Sequence, residues 1–414
     1  MSVQNRVASW GIRGIGLLVG VLVILPSDSS ARAALQGAPL AIQVPNLVGY
    51  WCVDGLVADT PTIARDSSGN LHQGTYVGGA AAMSAAPAVP SGNLKSFSFV
   101  QSGRQYITVP STPALSLTGS LTVAAWIRPT LDSTLQQGIV EKWDDASGIA
   151  NGYLLRLDAN ENLIFSVIPA TGGPVEISTA PRHVPLNVWT HVAGVYSTAG
   201  GGTLTNYVNA AADPTTAGGV PHPGAGSNPL QIGKDYSDNA FNGNIDEVRI
   251  YDRALTAPEV AILKNGQPAP TALIATPGTN QIQLTWTAPS NAGSTNVRYS
   301  VLRGPSSGTY DTVFNNIATP DYADTSAAGG TPYTYAVVAV SVMASAPSNE
   351  QSAMTAAGSP PTPSPAVPRT QKTGNQGHQM CGGSVASPEA LSPGLLGAML
   401  AAALLLTLSR RRPL

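Results

Sequence analysis

Cysteine is almost absent, with Cys52 and Cys381 the two thiols in 414 residues. That excludes a disulfide-stapled scaffold and leaves the fold to rest on a hydrophobic core. A bridge between the two would tie a folded body to a distant tail segment. Charge is scarce as well: Asp, Glu, Lys and Arg make up only 11% of the chain, which argues against long salt-bridged helices and against a helical bundle. Basic residues are thinnest in the middle. Arg6, Arg13, Arg32, Arg410, Arg411 and Arg412 all lie in the terminal segments, and residues 34–380 hold fifteen basic against twenty-one acidic side chains. Such a body has no basic field with which to gather phosphates, so nucleic acid is not expected as a partner. Abundant instead are Gly, at 43 positions, and Pro, at 34, the composition of many short strands joined by turns. The length is that of two to three domains.

Both ends carry targeting patterns. Residues 1–33 run from Arg6 and Arg13 through the apolar stretch Gly14 to Leu25 to the small-residue site Ala31-Arg32-Ala33, the order of a secretory signal peptide cleaved near Ala33. At the other end, residues 357–380 form a Pro-rich linker, containing GSPPTPSPAVP, that is expected to be extended and semi-rigid. Residues 381–414 comprise Cys381-Gly382-Gly383, the apolar stretch Pro393 to Leu408 and Arg410-Arg411-Arg412. A single transmembrane helix with its arginines on the cytoplasmic side fits this order. The layout resembles the bacterial C-terminal sorting signals of the Cys-containing, myxobacterial type. That resemblance implies that Cys381 is where a C-terminal processing protease trims and anchors the mature protein; the alternative is a plain single-span anchor. Either places the body outside the cytoplasm, exported to the cell surface or outer envelope and membrane-anchored.

Between the ends the pattern is all-β. LTVAAWIRP (Leu121 to Pro129), YLLRLD (Tyr153 to Asp158), LIFSVI (Leu163 to Ile168), WTHVAGVYS (Trp189 to Ser197) and LTNYVN (Leu204 to Asn209) alternate with period two between Gly, Pro, Asn, Asp and Ser turns. In Leu121 to Trp126, Leu121, Val123 and Ala125 share one face and Thr122, Ala124 and Trp126 the other, as stacked sheets require.

Tyr50-Trp51, the turn Asp66-Ser67-Ser68-Gly69-Asn70, Gly74-Thr75, Trp126-Ile127-Arg128-Pro129, Trp189-Thr190-His191-Val192-Ala193 and the closing run Phe241 to Tyr251 with Arg253-Ala254-Leu255 together resemble the concanavalin A-like, laminin-G-type jelly roll. The resemblance spans residues 45–264 and implies a two-sheet sandwich of roughly a dozen antiparallel strands. Residues 268–356 resemble a fibronectin type III domain, with Trp286 and Tyr335 at its core positions. This implies a smaller, seven-stranded immunoglobulin-like sandwich acting as a rigid spacer. It contains no Arg-Gly-Asp triplet, so integrin-like adhesion does not carry over.

Catalytic chemistry finds little purchase. A retaining glycosidase needs two carboxylates about 5 Å apart, yet the glucanase pattern of Glu, one residue, Asp, two residues, Glu is missing. The densest acidic stretch, Glu141-Lys142-Trp143-Asp144-Asp145, reads as a solvated loop end. The five histidines show no metal spacing; His191 reads as a structural residue rather than a base. Calcium is the better ion, because it takes six to eight oxygens and a tight Asp/Ser/Gly/Asn loop supplies several. Asp66 and Asn70 offer such a loop, and the family's pairing of first and last strands implies that Asp246 completes it; an Asx turn at Asp66 is the alternative. For a sugar ligand, stacking rings and hydroxyl-bonding polar groups are needed. Trp143, Tyr153, Asp235, Tyr236, Asp238 and Asn239 are the loop-proximal residues of those types.

These readings converge on an exported, surface-anchored, non-catalytic binding protein for carbohydrate or glycoprotein, assisted by Ca²⁺. A polysaccharide-degrading hydrolase and a structural envelope protein that binds a protein partner are the alternatives.

Overall fold

The computed structural model describes residues 42–53, 62–79, 84–85, 95–144 and 151–356. The expected signal peptide, Pro-rich linker, transmembrane segment and Cys381 lie outside them, as does Asp145. In chain order the first body consists of β1 (Leu47–Trp51), β2 (Ile63–Ala64), β3 (Gly74–Val77), β4 (Ser84–Ala85), β5 (Lys95–Phe99), β6 (Tyr106–Val109), β7 (Leu121–Pro129) and β8 (Gln137–Asp144). It continues with β9 (Asn151–Leu157), β10 (Asn162–Ile168), β11 (Val175–His183), β12 (Thr190–Ser197), β13 (Thr203–Val208), β14 (Ala211–Gly218), β15 (Leu230–Ile232) and β16 (Gly243–Tyr251). Among the described residues sixteen strands thus replace the dozen the sequence led us to expect, because short edge strands such as β2 and β4 leave no periodic signal.

Two eight-stranded sheets face one another. One runs β14-β13-β12-β7-β16-β5-β4, with β1 on the Val248-to-Tyr251 half of β16; the other runs β11-β10-β9-β8-β15-β6-β3-β2. Inward residues follow the alternation in the sequence. Leu121, Val123, Ala125 and Ile127 of β7 meet Leu155, Leu157, Leu163 and Phe165 from β9 and β10 in one core. Each such side chain contributes roughly 1.5–3 kcal/mol by leaving water. Gly194 of β12 lets the sheets approach, since a Cβ there would fall 2.2 Å from the Phe165 ring.

The second body has seven strands: β17 (Thr271–Pro277), β18 (Ile282–Thr287), β19 (Arg298–Gly304), β20 (Thr312–Ile317), β21 (Asp321–Asp324), β22 (Pro332–Val340) and β23 (Gln351–Met354). They form the sheets β17-β18-β21 and β20-β19-β22-β23 around a core that includes Trp286, Tyr299 and Tyr335.

Helix α1 (Ala257–Asn265) sits at the junction of the bodies. Its start is fixed by Glu259, whose carboxylate accepts the Thr256 N–H at 2.9 Å and pairs with Arg253 at 2.8 Å. One apolar cluster contains Tyr251, Leu255, Val260 and Leu263 from the first body and Val342 from the second. Tyr251 donates its hydroxyl to the Val342 carbonyl at 2.7 Å. Ile42, ahead of β1, is buried among Leu302, Tyr310 and Val338 of the second body. The chain therefore crosses between the bodies twice, and both crossings are packed.

Candidate functional site

The outer face of the second sheet is set by strand parity. Val140 points into the core with Ile139 at a bulge, and Glu141 and Trp143 then emerge on the opposite face. The turn after β15 folds back over them. Gly138 makes this approach feasible, because a Cβ at that position would lie 2.1 Å from the Lys234 carbonyl carbon and 2.2 Å from Asp235 N. As a result Tyr236 stacks on Trp143 with ring centroids 4.5 Å apart and planes 11° from parallel. The pair lines a cleft of about 220 Å³ together with Glu141, Asn228, Gln231 and Lys234. A second cleft of about 420 Å³ flanks the same turn and includes Gln101, Arg104, Asp238 and Asn239.

Asp235 staples the turn. Wholly buried, it accepts the N–H groups of Ser237 at 2.9 Å and Asn239 at 2.8 Å, and the Asn239 side-chain amide at 3.2 Å. Its carboxyl is held above the usual carboxylate range by burial. Glu141 is not a solvated loop end. It lies within β8 at 4% exposure, and its Oε2 accepts the Tyr236 N–H at 2.7 Å. Burial first, and then the neighbouring Asp235, push its carboxyl up to about 8, against the weaker pull of the Tyr236 amide, Arg156 and Lys234. At neutral pH Glu141 is therefore predominantly an uncharged acid.

Both cations beside the cleft have acidic partners. Lys234 pairs with Asp238, four residues on, and its ammonium stands 4.6 Å from the centre of the Tyr106 ring. Arg156 of β9 pairs with Glu176 at 3.3 Å and lies 5.8 Å from the Tyr236 ring centre. The opposite wall is anchored by buried Lys142, whose ammonium donates to Ser111 Oγ at 3.0 Å, Gly226 O at 2.8 Å and Asn228 O. Asn228 in turn donates its amide to the Trp143 carbonyl at 2.8 Å.

Of the residues nominated from sequence for ligand binding, the structure brings Trp143 and Tyr236 together at the surface. Asp238 and Asn239 line the adjacent cleft. Asp235 supports the turn from within. Tyr153 is corrected: it is fully buried, donating its hydroxyl to Leu115 O at 3.0 Å, because it pairs with inward-facing Lys142 rather than with Trp143. Gln231, Lys234, Asn228 and Arg156 were missed. The alternation Leu230-Gln231-Ile232 signalled an outward Gln231; the other three carry no local signal.

The residues nominated for calcium have protein partners in the loop ahead of β3 and on β16. Asp66 Oδ1 accepts the N–H groups of Tyr50 at 3.0 Å and Ser68 at 2.9 Å, and Oδ2 accepts that of His72 at 2.9 Å. Asn70 presents nitrogen to the loop, donating to Leu47 O and Val48 O, both at 2.8 Å. Asp246 is wholly buried on β16, opposite Trp126. Asp66 thus holds three backbone N–H groups and pins β1. Among the described residues no group of three or more His, Cys, Asp or Glu is placed to hold a metal. His191, against Trp126 at 5.5 Å, is held neutral by burial, its imidazole pushed down to about 3.

Residues 101–261, which contain the residues named for the aromatic cleft, match the Laminin_G_3 family model, the concanavalin A-like lectin/glucanases superfamily. That match falls within the first sandwich. The match covers less than half of the chain. Among solved structures, the chain is similar to the binding domain of Paraclostridial Mosquitocidal Protein 1, at 16% identity over 70% of each chain with a TM-score of 0.42. Domain 4 of AbnA, an extracellular arabinanase from Geobacillus stearothermophilus in complex with arabinotriose, is 22% identical over 54% of this chain and 100% of that one, with a TM-score of 0.39. A SAP-like pentraxin from Limulus polyphemus is 20% identical over 37% and 75%, with a TM-score of 0.30. No curated protein matches the chain.

Proposed function

We propose that the chain is an exported, surface-anchored, non-catalytic carbohydrate-binding protein whose laminin-G-type domain holds a sugar on the Trp143–Tyr236 stack. The observation that carries this reading is the stack itself: two parallel rings, Tyr236 at 43% exposure, at the edge of a cleft whose other walls are amide, carboxyl and ammonium groups. Rings supply the apolar face of a pyranose or furanose with contact, while the polar walls bond its hydroxyls. The family match supports the same class. A binding rather than hydrolytic role is favoured because the second carboxyl near Glu141, that of Asp235, already holds three N–H donors and cannot serve as the partner nucleophile. The second sandwich fits a fibronectin type III spacer. The terminal patterns support export and anchoring.

A glycan array probed with the purified full chain tests the reading, with and without chelator. Trp143→Ala and Tyr236→Ala are expected to weaken the leading signals by roughly thirtyfold, the loss typical of a central aromatic anchor. Release of reducing ends from the bound sugar would convert the binder into a hydrolase. Binding unaltered in both variants would place the ligand elsewhere.

A further inference from the structure

We propose a second binding site, for a small acidic saccharide, in the cleft that opens where the chain crosses from the second sandwich to the first, with Arg298 as the group that takes the carboxylate. This site is separate from the aromatic stack and does not rest on it. Its floor follows from strand parity. Tyr299 and Val301 of β19 face the Trp286 core, so Arg298, Ser300 and Leu302 face the other way. Leu302 is covered by Ile42 of the crossing segment. Beyond it lies a cleft of about 470 Å³, lined by residues 43–46, by Ser68 and Asn70 of the first sandwich and by Arg298, Ser300, Asn315 and Asn316 of the second. Small-molecule sites span about 300–1,000 Å³. Consecutive strand residues ordinarily face opposite sides, yet Asn315 and Asn316 both reach this cleft. The pairing of β19 with β20 shifts register between Tyr299 and Val301, and Asn316 takes a left-handed backbone with φ 62°; a bulge of this kind re-aims side chains.

The charge is what calls for a guest. Arg298 is half-buried and has no ion pair or hydrogen-bond partner among the described residues, whereas Arg156, Arg249, Arg253 and Arg303 each hold a carboxylate. No acidic side chain lines the cleft. A guanidinium stays charged and presents a planar fork of donors that a carboxylate meets with two parallel bonds. Around it the walls are amides and hydroxyls. Asn70 spends its nitrogen on Leu47 O and Val48 O, which leaves its oxygen as an acceptor, and the exposed Asn316 amide engages no other described group. Such groups match sugar hydroxyls, which both donate and accept. The ring at the cleft, Tyr299, is buried at 3% exposure, so no platform exists there for an aromatic guest. The left-handed backbone at Asn316 accounts for an asparagine without any ligand; an unpaired guanidinium in a cleft has no such structural account.

Digalacturonate, digalactose and sodium sulfate, titrated calorimetrically into the full chain at pH 7 and low salt, test the proposal. Each titration is run on the wild type and on Trp143→Ala, which takes the aromatic cleft out of the measurement. In both, digalacturonate is expected to bind at least tenfold more tightly than digalactose, with the margin shrinking as salt is added. Arg298→Gln, which keeps a donor and loses the charge, should abolish that margin. Arg298 has no partner inside the protein to lose, so the urea midpoint of this variant should match the wild type, which separates loss of the site from loss of the fold. Asn316→Gly keeps the left-handed backbone and deletes the amide, and should weaken digalacturonate severalfold. Absence of digalacturonate binding overturns the proposal, as does an affinity unchanged in Arg298→Gln. A preference that vanishes in Trp143→Ala would seat the acid on the aromatic stack instead, and sulfate binding as tightly as digalacturonate would leave an anion site with no saccharide in it; either result also overturns the proposal.

Discussion

Glu141 shows how one buried side chain couples the site to pH. The unfolded chain releases its proton near the ordinary value of 4.5, while the native chain keeps it up to about 8. Between those values the native state binds more protons than the unfolded one, so this group lowers stability as pH rises, by at most about 1.4 kcal/mol per pH unit. Below pH 4.5 the contribution is flat, and above about 8 the penalty is complete. Glu141→Gln, which keeps the acceptor for the Tyr236 N–H and never ionises, should therefore match the wild type near pH 4 and exceed it in stability at pH 9. Urea melts of both proteins at pH 4, 6, 8 and 9 measure this; parallel pH profiles for the two would show that the carboxyl ionises normally in the folded protein. Tyr153 teaches a related lesson. It has the same chemistry as Tyr236, but its register partner Lys142 points inward, and that alone sends it to the core.

At the scale of elements, the cleft depends on how closely the Lys234–Asn239 turn lies on β8. Gly138 sits where the pairing of β8 with β9 shifts register, and backbone atoms of the turn occupy the space that a Cβ would need. Gly138→Ala is expected to lift the turn, separate Tyr236 from Trp143 and destabilise the first sandwich by about 1–3 kcal/mol, the range for overpacking. Sugar affinity should fall with the near-ultraviolet dichroism of the ring pair. Retention of both signals in Gly138→Ala would mean that the turn tolerates a different seat. The Asp66 loop plays a comparable part at β1, where three N–H groups on one carboxylate hold the strand. Composition gave no way to choose between those roles, since an Asx turn and a calcium loop draw on the same residues.

Across the molecule, the two sandwiches are joined by an apolar cluster rather than by a bare linker. Tyr251, Leu255, Val260 and Leu263 share it with Val342, and Ile42 closes a second contact on the far body. Both bodies should then unfold in a single calorimetric transition, and Val342→Asp, which buries a charge in that cluster, should split it into two. Two separate transitions in the wild type would contradict a coupled pair.

What the sequence determined by itself was local: strands, turns and the division of a strand such as β7 into two faces, because alternation is written in consecutive positions and burial rewards it directly. Leu121, Val123 and Ala125 could be placed together on one face on that ground alone, and that face meets the core. The tertiary structure decided which distant residues meet. Trp143 and Tyr236 are far apart in the chain and come into contact only because β15 pairs with β8 and the following turn folds back over Gly138. The partners of Lys234, the burial of Glu141 and the inward turn of Tyr153 follow from the same pairing. Strand register is a property of two segments at once, and a single residue of shift reverses every side chain on the strand; the parity that made the cleft was therefore not present in either segment alone.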